Sequence, residues 1–299
     1  MGKIIRAISP NAGIRARYRR ELLDLVDEMQ RSVVWWVRAA WRKESVFAQD
    51  ANPVSRMSGV IARLYRHWLS RFSERASRIA DRFVNNSEEQ TESSYRQAFK
   101  QAGFTVKMKP TRVTNAVVQA LIKENKNLIE WVPVKYFHGL EDIVTNAMIS
   151  GRDIHYIVEE LKTKYNQTAK MADFIARDQA NKAVQAIKRV EGERLGVRVG
   201  IWVHVPGRKY IRHSHKAMDG KPFLLSEGMY DPEVKRNVQP GELWLCQCTY
   251  RDFVPAFGDK VTPEIEALLK KEDKPTAVVP EIGVGRKGLL LKENWHEKK

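Results

Sequence analysis

Two short clusters in the C-terminal third hold the residue types that bind metal ions: His213-Ser214-His215, followed by Asp219-Gly220, and Cys246-Gln247-Cys248. Residues two apart on a strand point to the same side, so each pair could converge on one ion. Two imidazoles with two thiolates would form a closed tetrahedral zinc site, which is structural rather than catalytic. His213, His215, Cys246 and Cys248 are therefore the candidate ligands of one structural zinc. A mixed set with His215 and the cysteines in and His213 out serves the same chemistry. The spacing leaves a plainer reading open, because common zinc modules use C-x2-C or longer. On that reading the cysteines are small half-buried hydrophobes and the histidines cap a turn. A metal-dependent nuclease or toxin-like effector is the alternative from another class. It needs an activated water with a general base beside it, and no residue is marked out as that base. With no convincing Ser-His-Asp arrangement, phosphate-cradling loop or dinucleotide fingerprint, no catalytic residue is assigned and a non-enzyme is expected.

Charge supplies the second candidate site. The chain has 299 residues, with 52 Lys and Arg against 36 Asp and Glu, a formal charge of +16. Such an excess calls for an anionic partner, nucleic acid or an acidic protein surface. Two stretches concentrate it. Residues 1–20 contain no acid and carry Arg15, Arg17, Arg19 and Arg20. Between Met57 and Val84, Arg71, Arg75, Arg78 and Arg82 fall on one helical arc, next to an apolar arc that runs from Ile61 through Trp68 and Phe72 to Phe83. These eight arginines are the candidate phosphate contacts, whose binding would weaken with salt. The second set has an equal alternative, pairing with Glu21, Asp24, Asp27 and Glu28 of the preceding helix. Trp35, Trp36, Trp41 and Trp68 sit at helical spacing among aliphatics, which favours a packed core or an oligomer contact over stacking on bases.

The elements that must position these residues are of two kinds. The fold class is α+β, with a predominantly helical N-terminal two-thirds followed by a small strand-and-loop C-terminal module. Helical periodicity covers the first hundred residues, with a turn expected at Asn85–Thr91. Pro110 and Pro133 bracket the next helix, and another runs from about Lys135 to Gly151. Asp153 caps a helix to Tyr165, and Thr168 caps one that ends near Gly196. The period then changes. Val197 to Val205 and Leu243 to Tyr250 both alternate as strands do, the second placing Trp244, Cys246, Cys248 and Tyr250 on one face. A short helix is expected at Pro263–Lys271. The resulting division is a basic helical region at 1–110, a domain at 111–255 with helices to about 195 and the strand module at 196–255, and a polar tail at 256–299. Two cysteines suit a reducing compartment. No run approaches the roughly 18 apolar residues of a membrane span, so no membrane partner is expected.

From Phe174 onward the order of motifs has a precedent. Ala176-Arg177-Asp178-Gln179 lies on a helix and Trp202 on a strand. Arg212 precedes Ser214-His215, and Asp219-Gly220-Lys221, a Pro240-Gly241 turn and Cys246-Gln247-Cys248 follow. This order resembles the phage head-morphogenesis domain, the Mu F-like minor head (minor capsid) proteins of tailed phages. The tight likeness covers Phe174–Val254, and a looser one reaches back to about Arg112. The resemblance implies a low-copy virion protein that acts near the portal in head or procapsid assembly. Its partners would be portal, scaffold or major capsid protein and the double-stranded DNA in the head. Its location would be the host bacterial cytoplasm during assembly and the head interior afterwards. It also implies that His215, Cys246 and Cys248 belong to the family's candidate metal-binding pattern. Two positions depart from that pattern: Pro206-Gly207-Arg208, where many relatives place an Asp, and Gln247, where many place Arg.

Overall fold

The computed structural model describes residues 3–44, 53–107, 111–206, 212–255 and 261–271. The chain is α+β, and its contacts divide it into two units that are each discontinuous in sequence. The helices are α1 (Ala12–Glu44), α2 (Pro53–Gln101), α3 (Arg112–Phe137), α4 (Leu140–Ile149), α5 (Ile154–Arg194), α6 (His213–Ala217) and α7 (Pro263–Lys270). The strands are β1 (Lys3–Ile5), β2 (Val199–Val203), β3 (Pro222–Leu224), β4 (Met229–Asp231), β5 (Arg236–Val238) and β6 (Thr249–Val254).

One unit, residues 15–83 and 122–177, is built from helices. The apolar arcs read from the sequence are its core: Leu22, Val26, Met29, Val33 and Val37 of α1 and Ile61, Trp68, Phe72, Ala76 and Phe83 of α2 are buried. Tyr18 stacks on Phe83 with ring centroids 4.1 Å apart, and its hydroxyl donates to Asn125 Oδ1 at 2.8 Å, which satisfies the polar end of a buried ring. At a more exposed position, the Tyr165 hydroxyl donates to Asp27 at 2.7 Å.

The other unit, residues 1–14, 84–121 and 178–299 as far as they are described, contains both sheets. Four antiparallel strands lie in the order β1-β6-β2-β3, and β4-β5 form a separate hairpin. Trp202 of β2 stands opposite Tyr250 of β6, and both are buried in a core with Ile5, Tyr95, Phe99, Val184, Phe223, Cys246 and Cys248. A second apolar layer unites Val199, Leu224 and Phe253 with Ile265 of α7. That helix starts where proline at the first position and a threonine cap predict.

Four boundaries differ from those expected of the sequence, each for a local reason. Asn85–Thr91 is not a turn but the interior of α2, because Thr91 Oγ1 donates to the Ser87 carbonyl at 2.6 Å and so needs no solvent. Thr168 does not begin a helix. Its hydroxyl bonds back to the Lys164 carbonyl at 2.9 Å, and α5 runs unbroken for 41 residues. Pro133 lies inside α3 rather than at its end. The bond forfeited at its nitrogen is offset by the buried Val132 and Tyr136 on either side. Helix α4 instead begins after Gly139, in a left-handed conformation, and α5 follows the expected cap at Asp153, whose carboxylate accepts the Tyr156 amide at 3.1 Å.

The fourth difference concerns the site. Residues 243–248 are a turn and loop, not a strand, and Leu245 adopts a left-handed φ of 58°. Only from Thr249 does the chain pair as β6. The alternation of Trp244, Cys246 and Cys248 thus came from a loop that turns its sulfurs inward. The polar tail from 272 onward lies outside the described residues, as do residues 207–211.

Candidate metal centre

Helix α5 supplies the base of the site through a row of polar residues that ordinary amphipathicity would place in solvent. Asp178, Asn181, Gln185 and Lys188 are spaced three and four apart, and all are buried. Asp178 accepts the Leu245 amide at 2.6 Å, so the left-handed residue ahead of the cysteines is tied to the helix. Asn181 Nδ2 donates to the carbonyls of Cys246 and Cys248 at 3.0 and 3.1 Å. Gln185 accepts from Thr249 Oγ1 at 2.9 Å and donates to the Ile8 carbonyl at 3.1 Å. Lys188, fully buried, pairs with Asp252 at 3.0 Å and donates to the Tyr250 carbonyl at 2.8 Å. Burial pushes the Lys188 amine down and the Asp252 carboxyl up, and their mutual attraction opposes both shifts.

The approach between α5 and the Pro240-Gly241 turn admits only glycine. Gly241 has φ +79°, and a β-carbon there would come within 2.9 Å of both Asn181 Nδ2 and Gln185 Cγ.

Above this base, α6 presents one of its two histidines. His215 is 1% exposed, whereas the structure places His213 on the exposed side of the same short helix, apart from the cysteines. Residues two apart diverge on a helix, where on the expected strand they would have converged. His215 Nδ1 lies 3.3 Å from Cys246 Sγ and 3.6 Å from Cys248 Sγ. Its Nε2 faces the buried Asp231 carboxylate at 3.2 Å. That carboxylate holds the proton on Nε2 and leaves the Nδ1 lone pair towards the sulfurs, the usual orientation of a metal-binding imidazole. Arg212 donates to the Trp244 carbonyl at 3.1 Å and so joins the start of α6 to the cysteine loop.

His215, Cys246 and Cys248 form a buried group whose ligand atoms all lie within 4.8 Å of one another. Tetrahedral zinc with bonds of about 2.0–2.3 Å holds its ligand atoms roughly 3.3–3.8 Å apart. The two His215 Nδ1 distances fall within that range. His204 stands outside the closed group, but its Nδ1 is 3.5 Å from Cys248 Sγ and its amide is held by Asp219 Oδ1 at 2.8 Å.

The two thiols titrate as a pair. The hydrogen bond to the Cys248 sulfur, with burial, pushes the Cys246 thiol well above the ordinary range. That same bond, against the effect of burial, brings the Cys248 thiol below its ordinary range. Of the two sulfurs, Cys248 is the one favoured as the thiolate, the form that binds metal.

The arginines occupy different surroundings. Arg15 is half-buried near the start of α1, with Arg17, Arg19 and Arg20 exposed. Arg19 pairs with Asp173 at 2.5 Å. On α2, Arg75 pairs with Glu28 at 3.2 Å, Arg82 with Glu21, and Arg71 with Glu74 at 3.6 Å, and Arg78 lines with these residues a groove between α1 and α2. Trp68 is buried, but Trp35 and Trp36 are 60% and 50% exposed.

Asp231, His204 and, beyond Asp178 of the Ala176-Arg177-Asp178-Gln179 motif, the α5 row were not singled out from the sequence. The row had a signal, since polar residues at three- and four-residue spacing form one stripe while the opposite face of the helix carries Ala176, Ala180, Ala183 and Ile187, all buried.

A small antiparallel module seated on the polar face of a long helix, with a buried His-Cys-Cys group at its centre, defines the class. Residues 138–251 match the family described as Phage Mu protein F like protein, and this match carries Asp178, Arg212, His215, Asp231, Cys246 and Cys248. The family is the one that the motif order resembles. The chain is also 26% identical over 237 residues to an uncharacterized protein of Haemophilus influenzae, which covers 77% of this chain and 51% of that one. The chain thus spans about half the length of the curated relative it matches. No solved structure matches it. Among the described residues, no helix is long and apolar enough to cross a membrane.

Proposed function

We propose that the protein is a minor head protein of a tailed bacteriophage, with a structural rather than enzymatic role in head or procapsid assembly. The observation that carries this reading is the family match over residues 138–251, in which every residue of the buried cluster falls. The cluster holds one structural zinc through His215, Cys246 and Cys248, with His204 as the fourth donor. Because its three central residues are buried, no substrate reaches the ion, and the metal's task is to lock the cysteine loop onto α6 and the sheet.

The docking partners are portal, scaffold or major capsid protein. The +16 charge suits a place in the head interior beside packaged DNA, after assembly in the host cytoplasm. Arg15, Arg17 and Arg20 are the DNA contacts in this reading. Arg75 and Arg82 are committed to acids of α1.

Mass spectrometry of purified virions and procapsids from producing cells tests the assignment. A low-copy signal in both particles is expected. Absence from both, with the protein abundant in the lysate, overturns it. Turnover of plasmid DNA by the zinc-loaded protein, lost in His215→Ala, would assign it instead to the nuclease class.

A further inference from the structure

Away from the sulfur cluster, α5 and the turn around Gly241 enclose a pocket of about 40 Å3, lined by Lys182, Gln185, Arg189, Gln239, Glu242 and Tyr250 among others. That is room for about three water-sized groups, going by one probe sphere for each.

The lining is unevenly satisfied. Lys182 faces Asp178, both Gln185 groups are engaged, and Glu242 uses one carboxylate oxygen for Arg236 at 2.6 Å and the other for the Gln239 amide at 2.8 Å. Arg189 is only 6% exposed, yet its Nε has no hydrogen-bond partner, and no carboxylate among the described residues pairs with it. The Tyr250 hydroxyl is buried and equally unpartnered. A guanidinium cannot escape burial by losing its proton, so it needs either an anion or water. Two orphan donors of this kind on one small pocket are a built site with its ligand chemistry specified. The remaining orphan on the lining, Gln239 Oε1, accepts rather than donates, which suits an oxyanion that carries a hydroxyl.

We infer that this pocket binds a small oxyanion, phosphate or carboxylate, through Arg189 and Tyr250. Its size fits a free phosphate, or a carboxylate presented by a partner chain. A duplex phosphodiester, flanked by two sugars, cannot bring its oxygens to a guanidinium that is 94% enclosed, the complement of its 6% exposure.

Calorimetric titration of the full chain with sodium phosphate and with sodium acetate, against sodium chloride at equal ionic strength, tests the inference. Saturable binding of at least one oxyanion is expected, weakened tenfold or more by Arg189→Gln and several-fold by Tyr250→Phe. Arg251→Gln, at an exposed position, leaves it unchanged. Binding of phosphate alone identifies a free phosphate or phosphomonoester as the source, and binding of acetate as well identifies a protein carboxylate. Tyr250→Phe keeps the ring, so it remains informative if Arg189→Gln fails to fold. The Arg189 Nε–H resonance of the unmodified protein, followed during the phosphate titration, needs no variant at all. No saturable heat with either anion, binding unaltered in both variants, or displacement of phosphate by a short DNA duplex would each overturn the site. Failure here leaves the virion assignment standing, because that rests on the particles and not on this pocket.

Discussion

The Asp231 carboxylate and His215 Nε2 lie 3.2 Å apart in a region that neither shares with solvent, and this contact decides which ring nitrogen the cysteines meet. Asp231→Asn weakens that hold while leaving all three candidate ligands in place. Zinc affinity is expected to fall about 10–100-fold, the range for loss of an outer partner of a metal-binding histidine. Competition against a chromophoric chelator measures it. In the same assay His213→Ala matches the unmodified protein, and His204→Ala weakens binding. Elemental analysis should find about one zinc per chain, absent from Cys246→Ser/Cys248→Ser.

Lys188 and Asp252 are both fully buried, so each depends on the other. Lys188→Met is expected to cost about 3–5 kcal/mol, because it strands the aspartate without a counterion. Lys188→Met/Asp252→Leu recovers most of that loss, and urea denaturation of the two variants separates the cases.

Gly241→Ala forces a β-carbon into Asn181 and Gln185 at a left-handed φ. A loss of about 1–3 kcal/mol is expected. Metal retention falls with it, because the displaced Asn181 holds the Cys246 and Cys248 carbonyls. Thermal melts with and without a chelator report both effects.

Glu88 is pushed above the ordinary carboxylate range by partial burial and then by the charges of Glu92, Glu191 and Glu89. A raised folded-state value means that the native state holds its proton more tightly. The favourable contribution is therefore complete below the unfolded value near 4.5 and lost as pH rises through the folded one. Glu88→Gln should melt at a higher temperature than the unmodified protein at pH 7 and at the same temperature near pH 4. After solvent screening the gain is a few tenths of a kcal/mol.

For DNA, the two arginine sets should behave differently. Arg17→Gln/Arg20→Gln lowers duplex affinity and flattens the salt slope by about one for each phosphate left without its guanidinium. Arg75→Gln and Arg82→Gln instead lower the melting temperature and leave DNA affinity unchanged, because their acidic partners are already in place. Fluorescence anisotropy over a salt series distinguishes the sets.

How much was legible in the sequence depended on whether the signal was local. The apolar arcs of α1 and α2, the strand expected at Val197–Val205 and present at Val199–Val203, and the caps at Asp153 and Gly151 follow from periodicity and backbone preference. Ser87, Thr91 and Thr168 looked like helix breaks because a hydroxyl can cap or back-bond, and only tertiary burial chooses between the two. The loop at 243–248 imitated a strand because its alternation serves inward-facing sulfurs rather than a pleat. Cys246, Cys248 and His215 could be named from their types. Asp231 and His204 could not, since Asp231 sits in the small β4-β5 hairpin and His204 follows β2, which pairs with the distant β6, and neither residue type nor spacing ties them to the cysteines.

β1 takes its place at the sheet edge by pairing Lys3 with Val254 and Ile5 with Asp252. The Ile8 carbonyl just after it accepts from Gln185 and Thr249. During synthesis β1 is made well before β6 and therefore waits for its partner. Ribosome-bound chains halted before β6 would present β1 and β2 with unpaired edges, and such chains should be the ones that chaperones hold and proteases clear.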